Sequence, residues 1–110
     1  MLDEILHAIA EPRRREILEL IRFRERSAGE IAACFDISRP AVSQHLRVLV
    51  EAGLVHVRSE GTRRLYRARP EGLTDLEAYL HQFWRHRLDQ WKEAAETEER
   101  GRLDRGKRNE

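Results

Sequence analysis

Residues 38–55 are the most restrictive stretch of this 110-residue chain. Ser38 is a good N-cap, because its hydroxyl can accept from an unpaired first-turn amide. Pro40 falls in the turn where its missing N–H is not needed. Gly53 supplies a stop, since glycine takes the left-handed conformation past a helix end at little cost. One helix is predicted between them. Val42, Leu46 and Leu49 share a face at helical spacing, and Gln44 and Arg47 lie opposite. A helix that is apolar on one side and carries Gln and Arg on the other can dock on a core and still offer hydrogen bonds to base edges in a DNA groove.

The next segment points the same way. Residues 54–58 alternate apolar and polar and are rich in valine, as a half-buried strand is. Residues 59–62 read as a turn, with Gly61 able to take positive φ. Residues 63–69 return as a second strand, and Pro70 ends the pairing. Five arginines and one glutamate fall within residues 58–69. Such a ribbon suits phosphates, which arginine grips with a flat, permanently charged fork.

The formal net charge of +1 hides an uneven distribution. Residues 1–36 and 70–110 each sum to −2, and residues 37–69 to +5. Basic charge is concentrated where the proposed DNA contacts lie. No apolar run is long enough for a membrane span, and the N-terminus does not resemble a signal peptide, so a cytoplasmic location is expected. A single cysteine excludes an internal disulfide framework and fits a reducing compartment.

The rest of the chain reads as helices. Residues 2–10 form an amphipathic helix with Leu2, Ile5, Leu6 and Ile9 on one side. Glu11 and Pro12 open a second helix to about Arg24. Ser27 and Glu30 make a capping-box pattern that starts a short third helix to about Phe35, with Ile31 buried and Cys34 read as a core cysteine. Together with the helix after Ser38 this is a helix-turn-helix unit. His45 lies at the edge of the buried face, where a structural hydrogen bond is expected. Residues 13–15, all arginine, read as a solvated helix face. Thr74 and Glu77 form another capping-box pattern. Beyond it, Leu76, Leu80, Phe83, Trp84, Leu88 and Trp91 follow a 3.6-residue period. That is more apolar surface than a body of about 70 residues can hide, and two tryptophans one heptad apart suggest a surface for self-association. Residues 98–110 are polar and without period, and are read as a disordered tail.

The residues around Pro12–Leu18, Gly29–Ala32, Pro40–Leu49, Ala52–Val55 and Glu60–Tyr66 together resemble the ArsR/SmtB family of bacterial winged helix-turn-helix transcriptional regulators. The resemblance covers residues 1 to about 95. It implies a mainly α fold of about five helices plus a two-stranded wing. It also implies a homodimer joined through its first and last helices, recognition helices in successive major grooves, and repression by blocking promoter access. On this reading residues 1–97 are the DNA-binding and dimerisation domain. Arg39, Ser43, Gln44 and Arg47 are the recognition-helix contacts, and Arg58, Arg63, Arg64 and Arg67 the wing contacts. Leu2, Ile5, Leu6, Leu76, Leu80, Phe83, Trp84, Leu88 and Trp91 form the dimer interface. The partner is double-stranded DNA, an inverted-repeat operator.

The family's metal-sensing patterns fit poorly. Where those members carry two cysteines near the start of the third helix, this chain has Ser27 and Gly29. His81, His86 and Asp89 on the last helix depart from the spacing of the other site. No metal and no cofactor is expected, and the chain resembles members without the metal-binding cysteine motif. A metal- or thiol-responsive repressor of the same family is the nearest alternative. A winged-helix protein-interaction module would predict an apolar or acidic recognition surface and a neutral wing, against Gln44, Arg47 and the wing arginines. An enzyme finds no support, since no catalytic constellation or phosphate-cradling glycine loop is present.

Overall fold

The computed structural model describes residues 2–108; the side chains of Leu88 and of residues 102–108 lie outside the described residues. The chain forms two units, residues 1–76 and 77–110. In order, the elements are α1 (Leu2–Ala10), α2 (Pro12–Leu20), β1 (Arg26–Ser27), α3 (Ala28–Ala33), α4 (Arg39–Glu51), β2 (Val55–Glu60), β3 (Arg63–Ala68), a 3-10 turn (Pro70–Leu73) and α5 (Thr74–Arg108). The fold is the expected mainly α winged helix-turn-helix, with one strand more than the sequence suggested. β1 pairs antiparallel with β3, giving a three-stranded sheet in the order β1-β3-β2. Two residues are too few to show a periodicity.

Capping sets the helix starts. The Glu11 carboxylate accepts from the Arg14 amide at 3.0 Å to begin α2. Ser27 Oγ accepts from the Glu30 amide at 3.2 Å and Glu30 accepts from the Ser27 amide at 3.3 Å, so the capping box at α3 is formed in both directions. α2 stops at Leu20 rather than near Arg24. The Ile21 carbonyl is needed elsewhere, accepting from the Ala68 amide at the end of β3 at 3.1 Å. Thr74 does not cap α5. It already lies inside the helix, and its hydroxyl donates to the Glu71 carbonyl at 2.7 Å.

The core of the first unit is built from Ile5, Ile17, Ile21, Ile31, Val42, Leu46, Leu49 and Leu54, each under 2% exposed. A side chain of this kind contributes roughly 1.5–3 kcal/mol when fully buried. Ile5 was expected at a dimer surface. At 1% exposure it belongs to the core of its own chain, because α1 turns Ile5 and Ala8 inward and leaves Leu6 outside. Cys34 corrects the opposite way. It follows the last turn of the six-residue α3, is exposed, and its thiol donates to the Glu30 carbonyl at 3.5 Å. Gly53, with φ of +78°, sits so close to Gly72 that a Cβ on Gly72 would run into the Gly53 carbonyl. This contact closes the loop after α4 onto the 3-10 turn.

In the second unit α5 continues as helix to Arg108, where a tail had been expected from residue 98. Arg, Glu, Leu and Lys favour helix, and against them stand only Gly101 and Gly106, each costing about 1 kcal/mol relative to Ala. Residues 109 and 110 of the expected tail lie outside the described residues. Among the described residues no helix is long and apolar enough to cross a membrane.

Candidate nucleic-acid interface

α4 forms where the sequence places it. Ser38 Oγ accepts from the Ala41 amide at 3.2 Å, Pro40 occupies the first turn, and Val42, Leu46 and Leu49 are buried. That inward face fixes the outward one, and Arg39, Ser43, Gln44 and Arg47 are all exposed. Arg39 lies back across the start of α3, with its guanidinium carbon 3.7 Å from the point a Cβ on Gly29 would occupy. A larger residue at 29 would displace it. Arg47 Nε donates to Glu51 Oε1 at 3.1 Å along the helix. Both groups are largely in solvent, so the pair is weak and easily exchanged.

His45 is held from behind. Its Nδ1 lies 3.5 Å from Arg14 Nη1 and its Nε2 lies 3.9 Å from Glu11 Oε2. Arginine has no acceptor, so Nδ1 faces it as the acceptor and Nε2 carries the hydrogen. Arg14, read from sequence as part of a solvated face, is instead buried at 9% exposure. Arg15 donates to the Ile9 carbonyl at 2.7 Å.

The hairpin turns at Gly61 and Thr62, shorter than the four-residue turn expected, because Ser59 pairs with Arg64 and Glu60 with Arg63. Gly61 has φ of +61°, which a two-residue turn of this hand requires. Opposed residues of an antiparallel pair turn to the same face. Val57, Ser59, Arg64 and Tyr66 therefore share one face, and His56, Arg58, Glu60, Arg63, Leu65 and Arg67 the other.

This division separates the four wing arginines. Arg64 borders a groove with Ser43, Arg47 and Tyr66, and a second with Arg39, Thr62 and Gly29. Arg63 also lines the second groove, and its Nη2 donates to Glu30 Oε1 at 2.6 Å. Arg58 is on the outer face in a two-point pair with Glu25, Nε to Oε2 at 2.7 Å and Nη2 to Oε1 at 3.0 Å, and Nη2 reaches Glu60 at 3.2 Å. Arg67 is exposed on that outer face. The hydrogen bond from Arg58 holds the Glu25 carboxyl below its ordinary range, aided by the charges of Arg67 and His56. Glu30 is lowered first by the Ser27 backbone amide and then by the Ser27 hydroxyl, with Arg63 adding to it. Glu25 carries no motif and was missed; Glu30 was seen only as a cap.

The metal patterns remain unmet. Ser27 Oγ is engaged as a cap and Gly29 has no side chain. His86 Nε2 lies 3.2 Å from Gln90 Nε2. Among the described residues no group of three or more His, Cys, Asp or Glu side chains could hold a metal ion. The residues present do not fit the family's metal sites.

Comparison with known proteins bears on residues 11–57, which match the family model described as "Bacterial regulatory protein, arsR family". The chain is 41% identical over 96 residues to the HTH-type transcriptional regulator Rv2034 of Mycobacterium tuberculosis, covering 87% of this chain and 90% of that protein. It is similar to a crystal structure described as a possible transcriptional regulator for arsenical resistance, at 48% identity and a TM-score of 0.67, with 76% of this chain and 86% of the other covered. A solution structure of a homodimeric winged helix-turn-helix DNA-binding domain from Mycobacterium bovis, a possible ArsR-family regulator, matches at 34% identity and a TM-score of 0.59 over 74% of this chain and 79% of that one.

Proposed function

The chain belongs to the arsR family of bacterial regulatory proteins, and on that premise we propose that it is a homodimeric repressor that binds an inverted-repeat operator and blocks promoter access without a metal signal. The observation that carries this reading is the convergence of Arg39, Ser43 and Arg47 of α4 with Arg64 of the wing around shared grooves, with Gln44 exposed on the same helix. Gln44 and Arg47 read base edges, Arg39 and Ser43 flank them, and Arg64, with Arg63 at the tip, takes backbone phosphate.

One recognition helix touches too few base pairs to single out a site in a genome, so two copies are needed. α5 offers the surface. Phe83, Trp84 and Trp91 are 63%, 44% and 59% exposed, and Leu80 is exposed beside them. Tyr79 stacks on Phe83 with ring centroids 6.0 Å apart, and Phe83 meets Trp84 edge-on at 5.1 Å. Leu6, exposed, and Leu2, half-buried, are the contributions proposed from α1. Leu76 already packs on the core of the first unit, and the Leu88 side chain lies outside the described residues.

The test is selection of bound fragments from a random duplex library by the purified full chain. The expected product is an inverted repeat with half-sites about one helical turn apart. A library that emerges unenriched would refute sequence-specific binding. Zinc, cadmium and arsenite are expected to leave binding of the selected fragment unchanged; release of DNA by one tightly bound ion per subunit would refute metal independence.

A further inference from the structure

The wing carries more arginine than its DNA-facing side can use, and the surplus is tied to acids on the other side. We propose that Glu25 is a positioning residue for DNA binding. By gripping Arg58 it fixes the wing so that Arg64 faces the groove beside α4, and Arg58 itself does not contact phosphate. This rests on the DNA-binding reading above.

The first argument is where the pair lies. Glu25 immediately precedes β1 at one edge of the sheet, and Arg58 lies on β2 at the other, with β3 between them. The pair therefore spans the sheet across Leu65, which is opposed by Ser27 on one side and Arg58 on the other. Leu65 is only 8% exposed although it lies on the outer face. A two-point Arg–carboxylate pair fixes orientation as well as distance, so it can set the angle of a hairpin that extends past the body. Arg63 to Glu30 makes a second tie nearer the tip.

The second argument is what the two candidate phosphate ligands have around them. Arg58 is held by three carboxylate oxygens, two from Glu25 and one from Glu60. A phosphate arriving there would have to displace two acids and would be repelled by both. Arg64 stands on the opposite face beside Ser43 and Arg47, and among the described residues no carboxylate pairs with it. Glu25 also faces His56 and Arg67, so its removal would leave three basic groups together with no counter-charge at the base of the wing.

The experiment measures affinity of the full chain for its selected operator across a salt series, for wild type, Glu25→Gln, Arg58→Gln and the double variant, with thermal unfolding recorded for each. Both single variants are expected to weaken binding about tenfold, or about 1.4 kcal/mol, with the double variant no weaker than either. The slope of log affinity against log salt is expected to stay unchanged in all three, because no phosphate contact is lost. A slope lower by about one in Arg58→Gln, with tighter binding by Glu25→Gln, would make Arg58 a phosphate ligand restrained by Glu25 and overturn the proposal. Unchanged affinity in both variants would overturn it too. If Glu25→Gln fails to fold, Glu25→Asp takes its place, since the shorter acid keeps the charge and loses the span. A wild type that selects no operator would fail the underlying DNA-binding reading, which is a separate outcome.

Discussion

Arg14 reaches back over the helix junction to Ala8, donating from Nε to its carbonyl oxygen at 2.6 Å, while Nη2 donates to the His7 carbonyl at 2.9 Å. The last carbonyls of a helix have no partner within it, and two of those of α1 are satisfied by this one buried fork. Arg14→Ala would leave them unpaired and open a gap beside Ala8. The expected loss is about 3 kcal/mol, seen as a lower denaturant midpoint with an unchanged slope. Arg14→Lys should recover only part of it, because an ammonium lacks the planar fork. Full recovery by lysine would show that charge alone matters at this site.

Stability should fall in acid through Glu25 and Glu30. Both carboxyls are held below their ordinary value of 4.5, Glu25 chiefly by the hydrogen bond from Arg58 and Glu30 chiefly by the Ser27 amide. A group whose pKa is depressed on folding stabilises the fold above its unfolded value, and that contribution is lost as pH falls through its folded value. The loss should therefore begin near pH 4.5 and deepen below it. Glu25→Gln and Glu30→Gln should each start from lower stability at neutral pH and show a shallower acid decline. Denaturation curves between neutral and strongly acidic pH, with parallel slopes in all three proteins, would contradict this.

Base reading and backbone gripping should separate by mutation. Gln44→Ala should relax preference at particular operator positions, at roughly 1–3 kcal/mol of discrimination, and leave binding to unrelated DNA almost unchanged. Arg64→Ala should weaken binding to every sequence alike and lower the salt slope by about one. Competition between operator and unrelated fragments measures both. Equal effects of the two variants on sequence preference would remove the assigned division of labour.

Much of this molecule is legible before folding because its instructions are local. Ser38, Pro40 and Gly53 bound α4 by capping chemistry alone, and Val42, Leu46 and Leu49 fix which way Gln44 and Arg47 point. The parts that were not legible depend on residues distant in sequence. Glu25 and Arg58 are 33 positions apart, as are Glu30 and Arg63, and no periodicity links either pair. Arg14 looks like one arginine of a charged run until the end of α1 is placed beside it. The four wing arginines look equivalent until the register assigns Arg64 to one face and Arg58 to the other. Ile5 and Leu6 both fit an amphipathic stripe, and only packing decides that Ile5 goes to the core.

The self-association surface can be tested apart from folding, because the buried core has no member on α5 and its partly buried surroundings end at Leu76. Trp84 and Trp91 lie further along α5, both exposed, with Arg87 set 5.5 Å over the Trp91 ring. A tryptophan at the centre of an interface typically costs about 2–4 kcal/mol on truncation, enough to raise a dimer dissociation constant by well over tenfold. Trp84→Ala and Trp91→Ala should therefore turn a micromolar-stable dimer toward monomer while residues 1–76 keep the fold that Ile5, Ile17 and Leu46 hold together. Operator affinity should drop in step, although α4 and the wing are untouched, because each half-site contact alone is weak. Analytical ultracentrifugation across a concentration series reads the first effect, and a gel shift on whole and half operators reads the second. A wild type that sediments as a monomer at micromolar concentration, or a Trp84→Ala monomer that binds the whole operator as tightly as wild type, would defeat both the dimer and the inverted-repeat site.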